Sequence, residues 1–195
     1  MPGSRFHQPR PLPPLADWQP VPAGLRRAAV LAALQPGAEG DHLLLVVRPL
    51  TMPSHPGQIA FPGGMAAAGE SPLATALREA HEEVGLPAAA IAPLGMLPAR
   101  TSSSGILVHC VVARIAAVPL RADPREVDAI LSVPIARLRD EDHWSERTPP
   151  PDATGRQPQT SPHYPLGDRW LWGLTARFVR DLLACALPAG SPPRP

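Results

Sequence analysis

The chain contains no lysine: all 18 basic residues among its 195 are arginine. That excludes a lysine base or a Schiff-base nucleophile anywhere in the sequence. Cysteine is scarce too. Cys110 lies in an apolar run and Cys185 in an expected helix, far apart, and both read as buried thiols suited to a reducing compartment. No cysteine or histidine pair has zinc-site spacing. Charge of one sign is not in excess. The formal net charge of +1 gives no electrostatic case for a nucleic-acid or acidic-membrane partner. A membrane-spanning run is missing as well. LRRAAVLAAL (Leu25 to Leu34) is too short to cross a bilayer and reads as a strand preceded by two arginines. The opening MPGSRFHQPRPLPPL has no apolar core and is not expected to act as a signal peptide. A cytoplasmic location is therefore expected.

What is present is an apolar fraction of 44% and a length that suits one domain with a full core. The 29 prolines cluster. They mark an N-terminal arm at residues 1–22, a tail at 186–195, and an internal loop from Glu146 to Pro162. The domain is expected over 23–185. Within it, Ala28–Leu34 and His42–Arg48 read as a hairpin, and Gln58–Phe61 as a short strand. Pro72–Val84 is a helix. Leu94–Leu97, Leu107–Ala116 and Val127–Ser132 read as strands, and Ile135–Arg139 as a short helix. Tyr164–Leu166 and Arg169–Trp172 flank a Gly167-Asp168 turn, and Leu174–Leu187 closes as an amphipathic helix. Strands interleaved with two main helices predict an α/β sandwich.

The helix at Pro72–Val84 has its punctuation: Ser71 as N-cap, Pro72 in the first turn, and Gly85 just past the end. At about 100° per residue, Leu73, Leu77, Ala80 and Val84 share one face and are expected to bury. Glu79, Glu82 and Glu83 fall within an arc of about 100° on the far, solvent side. Only Arg78 lies close enough to offset them. Clustered carboxylates repel, and a hard divalent cation would both relieve that repulsion and use their oxygens as ligands.

The spacing Gly64-x5-Glu70-x7-Arg78-Glu79-Ala80-x-Glu82-Glu83-x-Gly85-Leu86 resembles the Nudix box, occupying residues 64–86. Ala80 stands where the box usually has a bulkier aliphatic residue. The resemblance implies a Nudix-type α/β/α sandwich with a mixed β-sheet. It also implies a hydrolase that cleaves nucleoside diphosphate derivatives with Mg²⁺ or Mn²⁺. Carried over by position, Glu79, Glu82 and Glu83 would face the metal, with Glu79 and Glu83 the firmest ligands. A backbone carbonyl near Gly63 or Gly64 would add to them. Glu70 and Arg78 would form a supporting ion pair without touching phosphate. The box leaves the general base open; Glu126, from a separate loop, is a candidate beside the box glutamates.

The segment before the box, Leu43 to Gly64, resembles the coenzyme A pyrophosphatase branch of that family. Leu44, Leu45, Arg48, Gly57, Phe61, Pro62, Gly63 and Gly64 fit its pattern, whereas Val46, Pro49 and Pro53 depart from it. His55, Gln58 and Ile59 resemble the branch, as does WLWGLTARFVRDLL (Trp170 to Leu183). Arg48, His55, Gly57, Gln58, Gly63 and Gly64 are thus the candidate substrate-binding residues. Arg48 can grip phosphate in bidentate fashion, and the glycines permit close backbone approach. For the 3′-phosphate of coenzyme A, Arg48 is the first choice and Arg26 and Arg27 the alternates. ADP-ribose, other nucleotide substrates, or a non-catalytic nucleotide-binding role are the rival readings. A homodimer is left open, as is a partner-docking role for the proline-rich loop from Glu146 to Pro162.

Overall fold

Ala28, Ala32 and Leu34 pack into one apolar cluster, while Ala29, Leu31 and Ala33 pack into another. A strand whose alternate residues enter two cores is buried on both faces. The computed structural model describes residues 9–22, 24–148 and 159–187. Along them the chain forms β1 (Arg10–Pro11), β2 (Arg27–Gly37), β3 (Gly40–Val47), β4 (Ile59–Ala60), β5 (Gly63–Met65) and α1 (Pro72–Val84). There follow β6 (Ile91–Thr101), β7 (Leu107–Ile115), β8 (Ala129–Pro134), α2 (Ile135–Leu138) and β9 (Ser145–Arg147). The last elements are β10 (Ser161–Leu166), β11 (Arg169–Trp172), α3 (Gly173–Leu183) and β12 (Cys185–Ala186).

A seven-stranded mixed sheet forms the middle layer. Helix α1 covers one face through Ala76, Ala80 and Val84, which meet Leu31, Leu44 and Val111. Helix α3 covers the other through Phe178, Val179 and Leu182, which join Leu34, Leu45 and Val112. A small antiparallel sheet, β9–β10–β11, adds Tyr164 and Leu171 to that second core. The result is the expected α/β/α layering. No helix among the described residues is long and apolar enough to cross a membrane.

The feature that positions the site is a split in the sheet. β2 and β3 pair only near their hairpin, from Leu34↔Leu43 to Gly37↔Gly40. Beyond that they diverge, and the segment carrying β4 and β5 fills the gap. β4 pairs with β3 through Val46↔Ala60, and β5 pairs with β2 through Val30↔Gly63. At the crossing, Leu31 N donates to Pro62 O at 2.8 Å, so the backbone remains satisfied where the strands part.

Two expectations change, and the N-terminal arm gains a place in the fold. The last helix stops at Leu183 rather than Leu187, and Cys185 lies in β12, paired in parallel with Arg10–Pro11. A remote strand outcompetes one more helical turn there. The described part of the N-terminal arm is docked: Met96 N donates to Pro13 O at 2.9 Å, and Trp18 packs on the α1-side core. The internal loop is shorter than 146–162, because Glu146 and Arg147 pair with Pro162 and Ser161. Residues 1–8, 149–158 and 188–195 of the proline-rich stretches lie outside the described residues.

Candidate active site

Helix α1 begins where the sequence places it. Ser71 Oγ accepts from Ala74 N at 3.1 Å, and Gly85 closes the helix at φ 68°. Its buried face is rotated from the expected one. Thr75, Ala76, Ala80, Glu83 and Val84 are buried, and Leu73 and Leu77 are only half-buried. The three glutamates consequently do not share a solvent face. Glu83 is 3% exposed, the Glu79 side chain 12% and that of Glu82 51%. The correction is physical: the sheet and the β4–β5 segment lie over a wider arc of the helix than its apolar residues mark out.

Arg78 occupies the centre of this surface. Its Nε donates to Glu70 at 2.7 Å, and one Nη to Glu79 and to Glu82, each at 2.8 Å. The other Nη reaches Glu70 at 3.1 Å and Met65 O at 3.0 Å. Glu70 also accepts from Ala67 N and Thr75 Oγ1, each at 2.9 Å. The Arg78 hydrogen bond first, and that of Ala67 next, hold the Glu70 carboxyl at about 2. Glu70 first, and Glu79 and Glu82 after it, raise the affinity of Arg78 for its proton. Glu70 and Arg78 thus tie the loop before α1 to the helix.

Gly63 and Gly64 sit against the other glutamates. Gly63 N donates to Glu83 Oε2 at 3.0 Å. A Cβ at Gly64 would lie 2.5 Å from the Glu79 carboxylate, and one at Gly63 would meet the backbone of Ala29 and Val30. These glycines therefore let the loop close onto the helix carboxylates. Burial pushes Glu83 up to about 8, against the Gly63 hydrogen bond, and Glu79 and Glu126 raise it further. Arg48 acts the other way. Glu79 is raised chiefly by burial, with Arg78 opposing.

The remaining candidates come from two loops. Arg48 N donates to Gln58 O and Gly57 N to Arg48 O, each at 3.0 Å, which closes the loop between them. Arg48 thereby stands at the loop base, within electrostatic reach of Glu83. His55 is exposed at φ 54°, and the Gln58 amide turns toward Gly173 at the start of α3. Gly57 adopts φ 68°, so the turn itself calls for glycine there. The loop bearing Glu126 hangs from the end of α1: Arg121 N donates to Val84 O and Asp123 N to Glu83 O, each at 2.9 Å. It leaves Glu126 exposed and near enough to raise both Glu79 and Glu83.

Among the described residues no three His, Cys, Asp or Glu side chains are gathered as a ready metal cage. Glu79 and Glu82 turn to Arg78, and Glu83 turns to a backbone N–H. The donor set nonetheless fits a hard divalent cation. It offers carboxylate oxygens beside a glycine backbone, and the buried Glu83 has no ion-pair partner among the described residues. Two contributors escaped the sequence reading. Thr75 supports Glu70, and Trp18 Nε1 donates to Glu70 O at 2.6 Å. A threonine in the first helical turn carries no distinguishing signal, and Trp18 lies 52 positions away.

This geometry agrees with the comparisons. The profile of the NUDIX domain matches residues 14–152. The uncharacterized Nudix hydrolase NudL of Photorhabdus laumondii is 37% identical over 143 residues, covering 72% of this chain and 74% of that protein. The Escherichia coli K12 protein of the same name is 37% identical over 164 residues, covering 80% and 81%. The crystal structure of RenU, a Nudix hydrolase from M. smegmatis, superposes with a TM-score of 0.50 at 26% identity, over 58% of this chain and 73% of that one.

Proposed function

The chain belongs to the Nudix family and is a Nudix hydrolase, and we propose that it cleaves the diphosphate bond of coenzyme A or its acylated or oxidised derivatives. Nudix hydrolases act on small nucleoside diphosphate substrates and generally use divalent ions; here the ion is proposed to be Mg²⁺ or Mn²⁺. The products would be 3′-phosphoadenosine 5′-phosphate and 4′-phosphopantetheine, or its acyl form. The observation that carries the reading is one shared locus. The segment that resembles the coenzyme A branch brings Arg48 and Gly63 to the buried Glu83, and Gly64 to the neighbouring Glu79.

Glu79 and Glu83, with Glu82 at the exposed edge, would hold the ion. Once bound, it would neutralise the diphosphate oxygens and acidify a water. Arg48 would grip the diphosphate, and His55 and Gln58 would line its approach. Glu126, solvent-facing and beside the ligand carboxylates, would accept the proton as water adds to phosphorus and the bridging P–O bond breaks. Glu70 and Arg78 would keep the loop and helix in register without touching substrate.

The test is Mg²⁺-dependent hydrolysis of coenzyme A, its 3′-dephospho form, ADP-ribose and diadenosine tetraphosphate, compared by kcat/KM. Coenzyme A is expected to lead. A lead for ADP-ribose would overturn the substrate and leave the family intact. Binding without turnover of any of them would favour a nucleotide-binding module.

A further inference from the structure

A cleft of about 660 Å³ opens beside the box loop and does not lie over Glu79, Glu82 or Glu83. Arg26, Arg27, Asp17 and Trp18 form one wall, and the loop from Met65 to Ser71 forms the other. Glu70 belongs to that loop, but its charge is matched by Arg78. Arg27 is different. Its Nε is enclosed and has no hydrogen-bond partner among the described residues. Its one polar side-chain contact there is a long one, Nη2 to Gln19 O at 3.4 Å. The guanidinium lies 5.9 Å from the centre of the Trp18 ring. His109, whose ring centre lies 5.0 Å from that of Trp18, also has an enclosed Nε2 without a partner among the described residues and is itself 3% exposed. The enclosed Arg27 donor, on the cleft wall beside Trp18, makes a site in want of an acceptor.

Its distance from the chemistry is set by the strands. Gly63, which holds Glu83, pairs with Val30; two residues on, Met65 pairs with Ala28, next to Arg27. Arg27 is the third residue from Val30, and three strand residues span about 10 Å. Arg48 stands at the loop base just past the end of β3, within electrostatic reach of Glu83. The two cationic regions are thus unlike in position: Arg48 accompanies the carboxylates, whereas Arg27 opens β2 and Arg26 immediately precedes it. A second phosphate carried one sugar ring away from a diphosphate falls within that span.

Resting on the coenzyme A reading, we propose that this cleft binds the phosphomonoester on the nucleoside half of the substrate. Arg27 is the principal donor, Arg26 the second, and Trp18 flanks the base. The 3′-phosphate is therefore read by Arg27 and Arg26, and Arg48 is left to the diphosphate. A nucleoside carrying both a 3′- and a 5′-phosphate is the ligand class, and the 5′-monophosphate alone lacks the group that the cleft reads.

Calorimetric titration of the full chain with adenosine 3′,5′-bisphosphate and with adenosine 5′-monophosphate tests this. The wild type is expected to bind the bisphosphate about 10- to 100-fold more tightly. Arg27→Ala should bring the two affinities close together, and Arg26→Ala should narrow the gap by a smaller factor. Arg26 is exposed, so its variant gives a decision even if Arg27→Ala does not fold; Arg27→Lys, which retains the charge and removes Nε, adds another. Equal wild-type affinities would overturn the proposal. So would a preference that survives in every folded variant. Because binding is read without turnover, such a failure alongside active coenzyme A hydrolysis sinks only the subsite. Loss of coenzyme A hydrolysis in the substrate panel sinks the reading beneath it.

Discussion

Glu70 and Glu83 belong to one box, and their surroundings are opposite. Glu70 is wrapped by Arg78, Ala67 N and Thr75, and its carboxyl is held at about 2. Glu83 is enclosed between helix and loop with one backbone donor, and burial lifts it to about 8. The same side chain is thus a strut in one place and, in the other, a carboxyl that keeps its proton for want of a counter-charge. The first arrangement is complete in itself. The second lacks a counter-charge, which is the state a cation would relieve.

The comparison breaks first at Glu83. Glu83→Gln should lower Mg²⁺-dependent turnover by about 100-fold or more, since a ligand charge is lost. It should leave the melting temperature near wild type or above it, because a buried amide costs less than a buried carboxylate. Wild-type turnover at saturating Mg²⁺ would remove Glu83 from the site.

The glycines beneath it come next. Gly63→Ala forces a Cβ onto the backbone of Ala29 and Val30 and should destabilise by about 2–3 kcal/mol in urea melts. Gly64→Ala meets only the mobile end of Glu79, so it should cost less stability and proportionally more turnover. Equal stability losses would mean that the loop does not approach the helix as closely as described.

At the strut, Glu70→Ala and Arg78→Ala should each destabilise, and the double variant should cost less than their sum by about 1 kcal/mol. Strict additivity in denaturant melts would dissolve the pair.

The smallest effect is one of sign. Glu83 holds in the folded state a proton that the unfolded chain releases, between 4.5 and about 8. Its presence should make the metal-free protein less stable as pH rises through that window. Glu70 does the reverse. Its contribution is full above 4.5 and is lost as pH falls toward about 2. Glu83→Gln should flatten the first slope and Glu70→Gln the second, in melts with chelator present. Slopes unchanged by either substitution would show that the two environments are not as unlike as their contacts.

Much of this was legible in the chain. Ser71, Pro72 and Gly85 bound α1 because capping and left-handed closure are local chemistry. Gly167-Asp168 marks its hairpin for the same reason. The box spacing identifies the family through residues whose order along the chain is itself the motif. What the chain alone did not reveal depends on partners remote in sequence. Cys185 leaves the helix for a strand because Arg10 and Pro11 lie alongside it. Trp18 reaches Glu70, and Arg27 is left with an enclosed, unpaired donor, only because the N-terminal segment folds across the box loop. Glu83 shows the boundary most clearly. The helical period determines its direction from the axis, and whether that direction meets water or the β4–β5 segment is decided by how the sheet splits, since burial is a property of what packs there and not of the residue.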